Sequence, residues 1–147
     1  MANKIKIKIK KLHPDAIIPH YAHSGDAGLD IYSNENAIIP SKERMLISTG
    51  LAIELPEGYV SLIKDKSGIA YKEGLTHMAG VIEYTYTGEY KILLYNTTEQ
   101  PYEIKKGEKI AQLVIVPVAT ADIEEVQELS ETQRGDGAFG STGLTNH

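Results

Sequence analysis

The sequence contains no cysteine and no tryptophan, and phenylalanine occurs once among its 147 residues. Without cysteine, a disulfide framework, a thiol nucleophile and a cysteine-based zinc site are all excluded. Apolar runs of membrane-spanning length are also missing, and the amino terminus lacks a signal-peptide pattern. A cytoplasmic, intracellular location is therefore expected, and the sequence leaves both a cellular and a viral origin open.

The chain also lacks an excess of positive charge. The chain has 15 Lys and Arg against 20 Asp and Glu, which gives a net charge of −5. This balance argues against broad binding to nucleic acid or to an anionic membrane. A phosphate ligand would need local basic groups, backbone amides or a metal. Apolar residues make up 41% of the chain, enough for one globular domain with one core.

The pattern that is present is that of β-strands. Lys4–Lys10 alternates apolar and charged residues, which predicts an edge strand protected by its lysines. A short helical turn is predicted at Gly68–Glu73. The fold class is therefore all-β, a jelly-roll-like β-barrel or sandwich. Further strands are predicted at Ala37–Ile39, Glu43–Thr49, Leu51–Glu54, Gly58–Lys64, Tyr90–Asn96, Tyr102–Ile104 and Ala111–Pro117.

The last fourteen residues, Arg134 to His147, have four glycines and no hydrophobic period. Glycine amides and Arg134 suit phosphate, and Phe139 suits stacking on a base. The segment is therefore predicted to be a flexible, glycine-rich tail that acts as a mobile lid over a nucleotide. The alternative is a frayed polar chain end, which is the usual state of a terminus.

Five blocks in order resemble the five motifs of the homotrimeric dUTPase family. They are AHSGDAGLDIYS at 22–33, DKSGIAYKEG at 65–74, AGVIEYTYTGEYK at 79–91, GEKIAQLVI at 107–115, and the tail, RGDGAFGSTGLTNH. The resemblance implies a jelly-roll subunit over residues 1–133 and a lid over residues 134–147. It also implies a homotrimer with shared active sites. One subunit would supply blocks one, two and four, a second would supply block three, and the third would supply the tail. The implied reaction is attack of water on the α-phosphorus of dUTP, with Mg²⁺ on the triphosphate.

The resemblance assigns phosphate and metal roles to the first, second and fourth blocks. Asp30 matches the aspartate that holds magnesium through water, and Ser67 and Gly68 match the end of the family's Arg-Ser-Gly. Lys66 replaces the arginine of that motif, which keeps the charge and loses the bidentate fork. Gln112 matches a glutamine that reaches the α-phosphate. The alternatives are a turn-capping aspartate, a solvated lysine and a solvent-facing glutamine.

A turn role fits Asp26 better than Asp30, because Asp-Ala-Gly is a natural turn sequence. His77 stands where many family members have Asn near the base. A surface or loop histidine is the alternative interpretation.

The third block carries recognition and chemistry. The resemblance implies a β-hairpin at Val81–Glu83, in which the backbone at Val81 and Ile82 would pair with the uracil edge. Tyr86 matches the tyrosine that packs under the deoxyribose. Glu83 stands where the family has its catalytic aspartate, one methylene further out. Lys91 matches a substrate-contacting position, with an outward strand lysine as the alternative.

In the fifth block, the resemblance implies that Arg134 grips the γ-phosphate and that Phe139 covers the uracil. Gly140 and Ser141, with Thr142, would complete the phosphate cradle.

Two rival functions stay open at this point. The related dCTP deaminase would need a glutamate where Leu93 stands. A non-catalytic nucleotide-binding or regulatory relative is favoured by the replacements at Glu83, Lys66 and Thr87. The sequence therefore predicts a dUTP-hydrolysing enzyme, with these two alternatives.

Overall fold

The computed structural model describes residues 4–145. Within this range the chain forms ten strands and one short helix. The elements are β1 Lys8–Lys11, β2 Gly28–Tyr32, β3 Ala37–Ile39, β4 Arg44–Glu54, β5 Tyr59–Lys64, α1 Ser67–Glu73, β6 Leu75–His77, β7 Val81–Glu83, β8 Glu89–Asn96, β9 Tyr102–Ile104 and β10 Lys109–Pro117.

The strands form two four-stranded antiparallel sheets and a two-stranded ribbon. One sheet has the order β1-β4-β8-β6, the other has the order β2-β10-β5-β7, and β3 pairs with β9. One continuous apolar cluster joins the two larger sheets, with Ile47 and Ile92 from one sheet and Ile63 and Leu113 from the other. Burial of such side chains is the main favourable term in folding. The predicted all-β jelly-roll class is confirmed.

A polar contact also crosses this core. The hydroxyl groups of Tyr90 on β8 and Ser61 on β5 lie 2.9 Å apart, and both residues are buried. A buried hydroxyl needs a partner, so the pair satisfies both groups and ties the two sheets together. Burial raises the pKa of the Tyr90 phenol, which therefore stays neutral at physiological pH.

The predicted first strand is wrong in its first half. Exposure alternates along residues 4–10, as the sequence indicates, but pairing covers only Lys8–Lys11. The partner strand β4 ends at Glu54, which faces Lys8, and Pro56 follows without an N–H to donate. β1 is nevertheless an edge strand, as predicted.

Three other elements differ from the predicted ones or were missed. The two strands predicted on either side of Gly50 are one strand, β4, whose pairing is irregular between Ser48 and Ala52. Gly50 has a φ of 69° there, a conformation that suits glycine. The strands β2 and β6 were missed. The predicted helix at Gly68–Glu73 is confirmed as α1, which ends at a left-handed Gly74.

Candidate active site

A buried carboxylate on β2 contacts two lysines at one edge of the β2-β10-β5-β7 sheet. Asp30 is 2% exposed in the middle of β2, with Lys66 Nζ 2.5 Å from Oδ1 and Lys109 Nζ 3.0 Å from Oδ2. Burial raises the pKa of Asp30, but the contacts with Lys66 and Lys109 outweigh it, and the pKa lies below its ordinary value. Two ammonium groups against one carboxylate leave a local positive charge in an acidic chain, which suits an anionic ligand.

The second block begins beside this cluster. Lys66 follows β5 and precedes α1, and Ser67 and Gly68 lie exposed in the first turn of that helix. The space around Gly68 is open. Lys66 is thus half-buried against Asp30, and the interpretation of it as a purely solvated lysine is wrong.

Gln112 faces Asp30 in the register of β10 and β2. Its Nε2 donates a 2.7 Å hydrogen bond to the backbone carbonyl of Asp65, and its side chain covers Gly28. A Cβ at Gly28 would lie 2.1 Å from Gln112 Oε1, so only glycine leaves room for this arrangement. Gln112 is therefore held inside the site, and it does not simply face solvent.

The turn predicted for Asp26 is present, because its Oδ2 accepts a 2.9 Å hydrogen bond from the N–H of His23. His77 is not a loop residue. It ends β6, and its ring nitrogen Nδ1 lies 2.6 Å from Oδ1 of Asp65. The Asp65–His77 pair was not predicted, because nothing in the local pattern around Asp65 indicates it.

The third block forms the free edge of the same sheet. β7 pairs only with β5 and stands last in the strand order, so its outer edge carries no further strand in the described residues. Open backbone groups on a sheet edge can pair with another chain or with a ligand edge. Glu83 lies exposed at the end of β7, opposite Val60.

Tyr86 is held beside this edge by local contacts. Its N–H donates to the carbonyl of Glu83 at 3.1 Å, and its hydroxyl donates to the carbonyl of Glu89 at 2.8 Å. The ring lies 6.2 Å from that of Tyr90. It also lies over Gly88, where a Cβ would come within 2.6 Å of the Tyr86 hydroxyl oxygen.

The strand register places Glu83 far from Asp30 and Gln112 within the chain. Asp30 faces Gln112, Gln112 faces Lys64, and Glu83 faces Val60 on the same strand as Lys64. Four residues along a strand span about 13 Å, and the three strand spacings from β2 to β7 span about 14 Å. Glu83 therefore lies about 16–19 Å from Gln112 and Asp30 within the chain, too far for these side chains to meet.

The remaining predicted residues lie elsewhere. Lys91 is exposed on β8 in the other sheet, opposite Ser48. Residues 118–145 contain no helix or strand, and the hydrogen bonds of the tail join near neighbours, such as Arg134 Nε to the carbonyl of Gly137 at 2.7 Å. Phe139 is fully exposed. Gly140 and Ser141 also lie in this exposed segment.

The surface depressions of the chain lie away from the predicted site residues. Three depressions lie near His13 and Ser48, near Ile38 and Glu103, and near Ile9 and Ala52. None of these three includes Asp30, Lys66, Glu83 or Tyr86. Across residues 4–145, no group of three or more His, Asp or Glu side chains could hold a metal, and no helix is long and apolar enough to cross a membrane.

The fold and these residues define a β-sandwich protein with two lysines grouped on a buried aspartate and an open strand edge at β7. The dUTPase family model matches residues 14–143, and the chain belongs to this family. A relative from Hydrogenobaculum sp., named deoxyuridine 5'-triphosphate nucleotidohydrolase, is 48% identical over 143 residues, which cover 95% of this chain and 99% of the relative.

Solved structures agree with this assignment. A mutant dUTPase of Staphylococcus bacteriophage 80alpha with dUpNHpp has a TM-score of 0.92 at 33% identity, covering 96% of this chain and all of that one. A mutant dUTPase from phage phi11 of S. aureus, described with a structural Mg(II) ion, has a TM-score of 0.82 at 29% identity. The latter match covers 86% of this chain and 100% of the phage chain.

Proposed function

We propose that this chain hydrolyses dUTP to dUMP and pyrophosphate by attack of water on the α-phosphorus. The observation that carries the proposal is the family match over nearly the whole chain, together with a carboxylate retained at Glu83. A glutamate can serve as a general base in the same way as an aspartate, and it lies one methylene further from its backbone. The longer side chain must therefore fold back to orient the water.

The first contribution of the site is recognition of the nucleoside. The free edge of β7 at Val81 and Ile82 offers backbone groups to the uracil edge, much as one strand pairs with another. Tyr86 is supported from below by Gly88 and Tyr90, and its ring would lie against the deoxyribose and exclude a 2′-hydroxyl. Phe139 of the tail would cover the base from the other side.

The second contribution is phosphate binding. Lys66 and the hydroxyl of Ser67 would contact phosphate oxygens, with Gly68 leaving the backbone open to them, and Gln112 would reach the α-phosphate. Arg134, Gly140 and Ser141 of the tail would close over the γ-phosphate. The local excess of positive charge around Asp30 supports this arrangement.

Magnesium fits this site through Asp30. Its Oδ2 atom is buried and faces Lys109 Nζ at 3.0 Å in a geometry that is not a good hydrogen bond, so it can still accept from a metal-bound water. Magnesium keeps several waters and needs few protein carboxylates, so one aspartate is sufficient. Asp30 would hold the ion through water, and the ion would neutralise charge on the triphosphate. Lys66 and Lys109 would then turn from Asp30 toward phosphate.

The register distance between Glu83 and Asp30 supports a homotrimer with shared active sites. A phosphate at Asp30 and Gln112 would meet Glu83 of another subunit, and the exposed tail would be lent by a third. A cytoplasmic location, expected from the sequence, stays a prediction that cell fractionation can test.

The test is pyrophosphate release from dUTP, dCTP, dTTP and UTP, with and without magnesium. We expect release from dUTP alone, and strong dependence on the metal. Binding of dUTP without cleavage would contradict the enzyme and support a non-catalytic relative. Release of ammonia from dCTP would support the deaminase, although Leu93 offers no carboxylate for it.

A further inference from the structure

One cluster of titratable side chains has no role in the proposed reaction. Asp65 lies in the bend between β5 and α1, and its carboxylate accepts three hydrogen bonds from β6. The donors are Thr76 Oγ1 at 2.6 Å, the backbone N–H of His77 at 2.7 Å and His77 Nδ1 at 2.6 Å. Both side chains of the Asp65–His77 pair are largely shielded from solvent, with 29% and 17% exposed.

The main chain of Asp65 is anchored independently of these bonds. Its carbonyl accepts the hydrogen bond from Gln112, and the next residue, Lys66, contacts Asp30. The carboxylate therefore projects from a fixed point of the phosphate site toward β6. Substitution of its side chain leaves the Gln112 contact in place, because that contact is to the backbone.

The charge state of Asp65 determines the tautomer of His77. Burial raises the pKa of Asp65, but the hydrogen bonds from Thr76 and His77 outweigh it and hold the pKa below its ordinary value. An ionised carboxylate only accepts hydrogen bonds, so the proton of a neutral His77 must lie on Nδ1. The other ring nitrogen, Nε2, makes no hydrogen bond within residues 4–145 and is left for a ligand.

The imidazole lies against the start of the strand that would read the base. Its Cδ2 atom, next to Nε2, is 3.2 Å from the position that a Cβ would take at Gly80. The carbonyl of Gly80 accepts a 2.8 Å hydrogen bond from the N–H of Ile63, which fixes the entrance to β7. The ring edge that carries Nε2 is thus held beside the residue preceding Val81.

We propose that Asp65 is a positioning residue for pyrimidine recognition, acting through His77. Asp65 holds the imidazole as the Nδ1–H tautomer and presents its Nε2 edge beside Gly80, where the pyrimidine edge pairs with β7. This inference rests on the proposed dUTP hydrolysis for its ligand, and on the contacts of Asp65 for its geometry.

The first experiment is spectroscopic and needs no turnover. ¹⁵N NMR of the histidine rings in the free protein should show the neutral form of His77 as the Nδ1–H tautomer. In Asp65→Ala no acceptor faces Nδ1, so the signal should change toward the Nε2–H form that a free imidazole prefers. Thr76→Val is the matched control, because it removes one hydrogen bond to the same carboxylate without freeing the imidazole. It should leave the tautomer unaltered.

The second experiment measures recognition. Asp65→Ala should raise the KM for dUTP by roughly two- to tenfold, the effect of one lost hydrogen bond between neutral groups, while kcat stays within about twofold. His77→Phe should raise KM to a similar extent. If Asp65 acts through His77, the double variant should be no worse than His77→Phe alone.

Two results would overturn the proposal: an unchanged tautomer in Asp65→Ala, or KM effects that add in the double variant. Additive KM effects would mean that Asp65 acts only through the general stability of the loop between β5 and α1. If the parent protein does not cleave dUTP, the proposed function fails by itself. The affinity for dUpNHpp then replaces KM in the same cycle. If Asp65→Ala does not fold, the parent tautomer and His77→Phe decide the question.

Discussion

Gly88 should control the discrimination between dUTP and UTP, although it would not touch the sugar itself. A Cβ at Gly88 would lie 2.6 Å from the Tyr86 hydroxyl oxygen and 2.8 Å from Cζ, both at the far end of one side chain. In Gly88→Ala the ring must therefore move aside. Gly88 has no positive φ, so the alanine should be tolerated by the backbone.

The size of the effect follows from the contacts that hold the ring. Displacement breaks the 2.8 Å hydrogen bond from Tyr86 to the carbonyl of Glu89, a loss of about 1 kcal/mol. It also weakens the contact with the ring of Tyr90, a loss of about 0.5–1.5 kcal/mol. Together these terms, about 1.5–2.5 kcal/mol, correspond to a fall of roughly ten- to sixtyfold in the preference for dUTP over UTP.

The assay is kcat/KM for dUTP and for UTP, with thermal unfolding as a check on the fold. Tyr86→Ala should lose the same discrimination, and adding Gly88→Ala to it should change nothing further. If Gly88→Ala rejects UTP as strongly as the parent, or if the two substitutions have additive effects, Tyr86 does not exclude the 2′-hydroxyl.

Three further outcomes are expected. Glu83→Gln should lower kcat by roughly 10²–10⁴ with little change in dUTP affinity, and unaltered turnover would mean that another group activates the water. A Glu83→Gln chain mixed equally with a chain truncated before Arg134 should regain about a quarter of the parental activity in hybrid trimers, whereas no recovery would contradict shared sites. Hydrogen exchange in the tail should be fast in the free protein and slow with dUpNHpp and magnesium, because little buried area offsets its entropy. Equal protection in both states would identify a fixed arm.

The strands that could be predicted are those with one face on the core and one in solvent. β8 alternates buried and less buried residues along its length, and its predicted bounds are nearly those observed. β2 could not be predicted in this way, because all five of its residues are buried and no alternation results. The loop at His20 covers its outer edge, with a backbone hydrogen bond from Asp30, and no local pattern indicates that contact.

By itself, the sequence determined the family, the fold class and the kinds of side chain available for chemistry. Five ordered blocks carry that information, and each is a short stretch that local residue types define. Only the tertiary structure decided which of those side chains meet. It brought Lys109 to Asp30 and His77 to Asp65, and it separated Glu83 from both. These contacts depend on strand register between segments far apart in the chain, and register is set by the packing of the whole core.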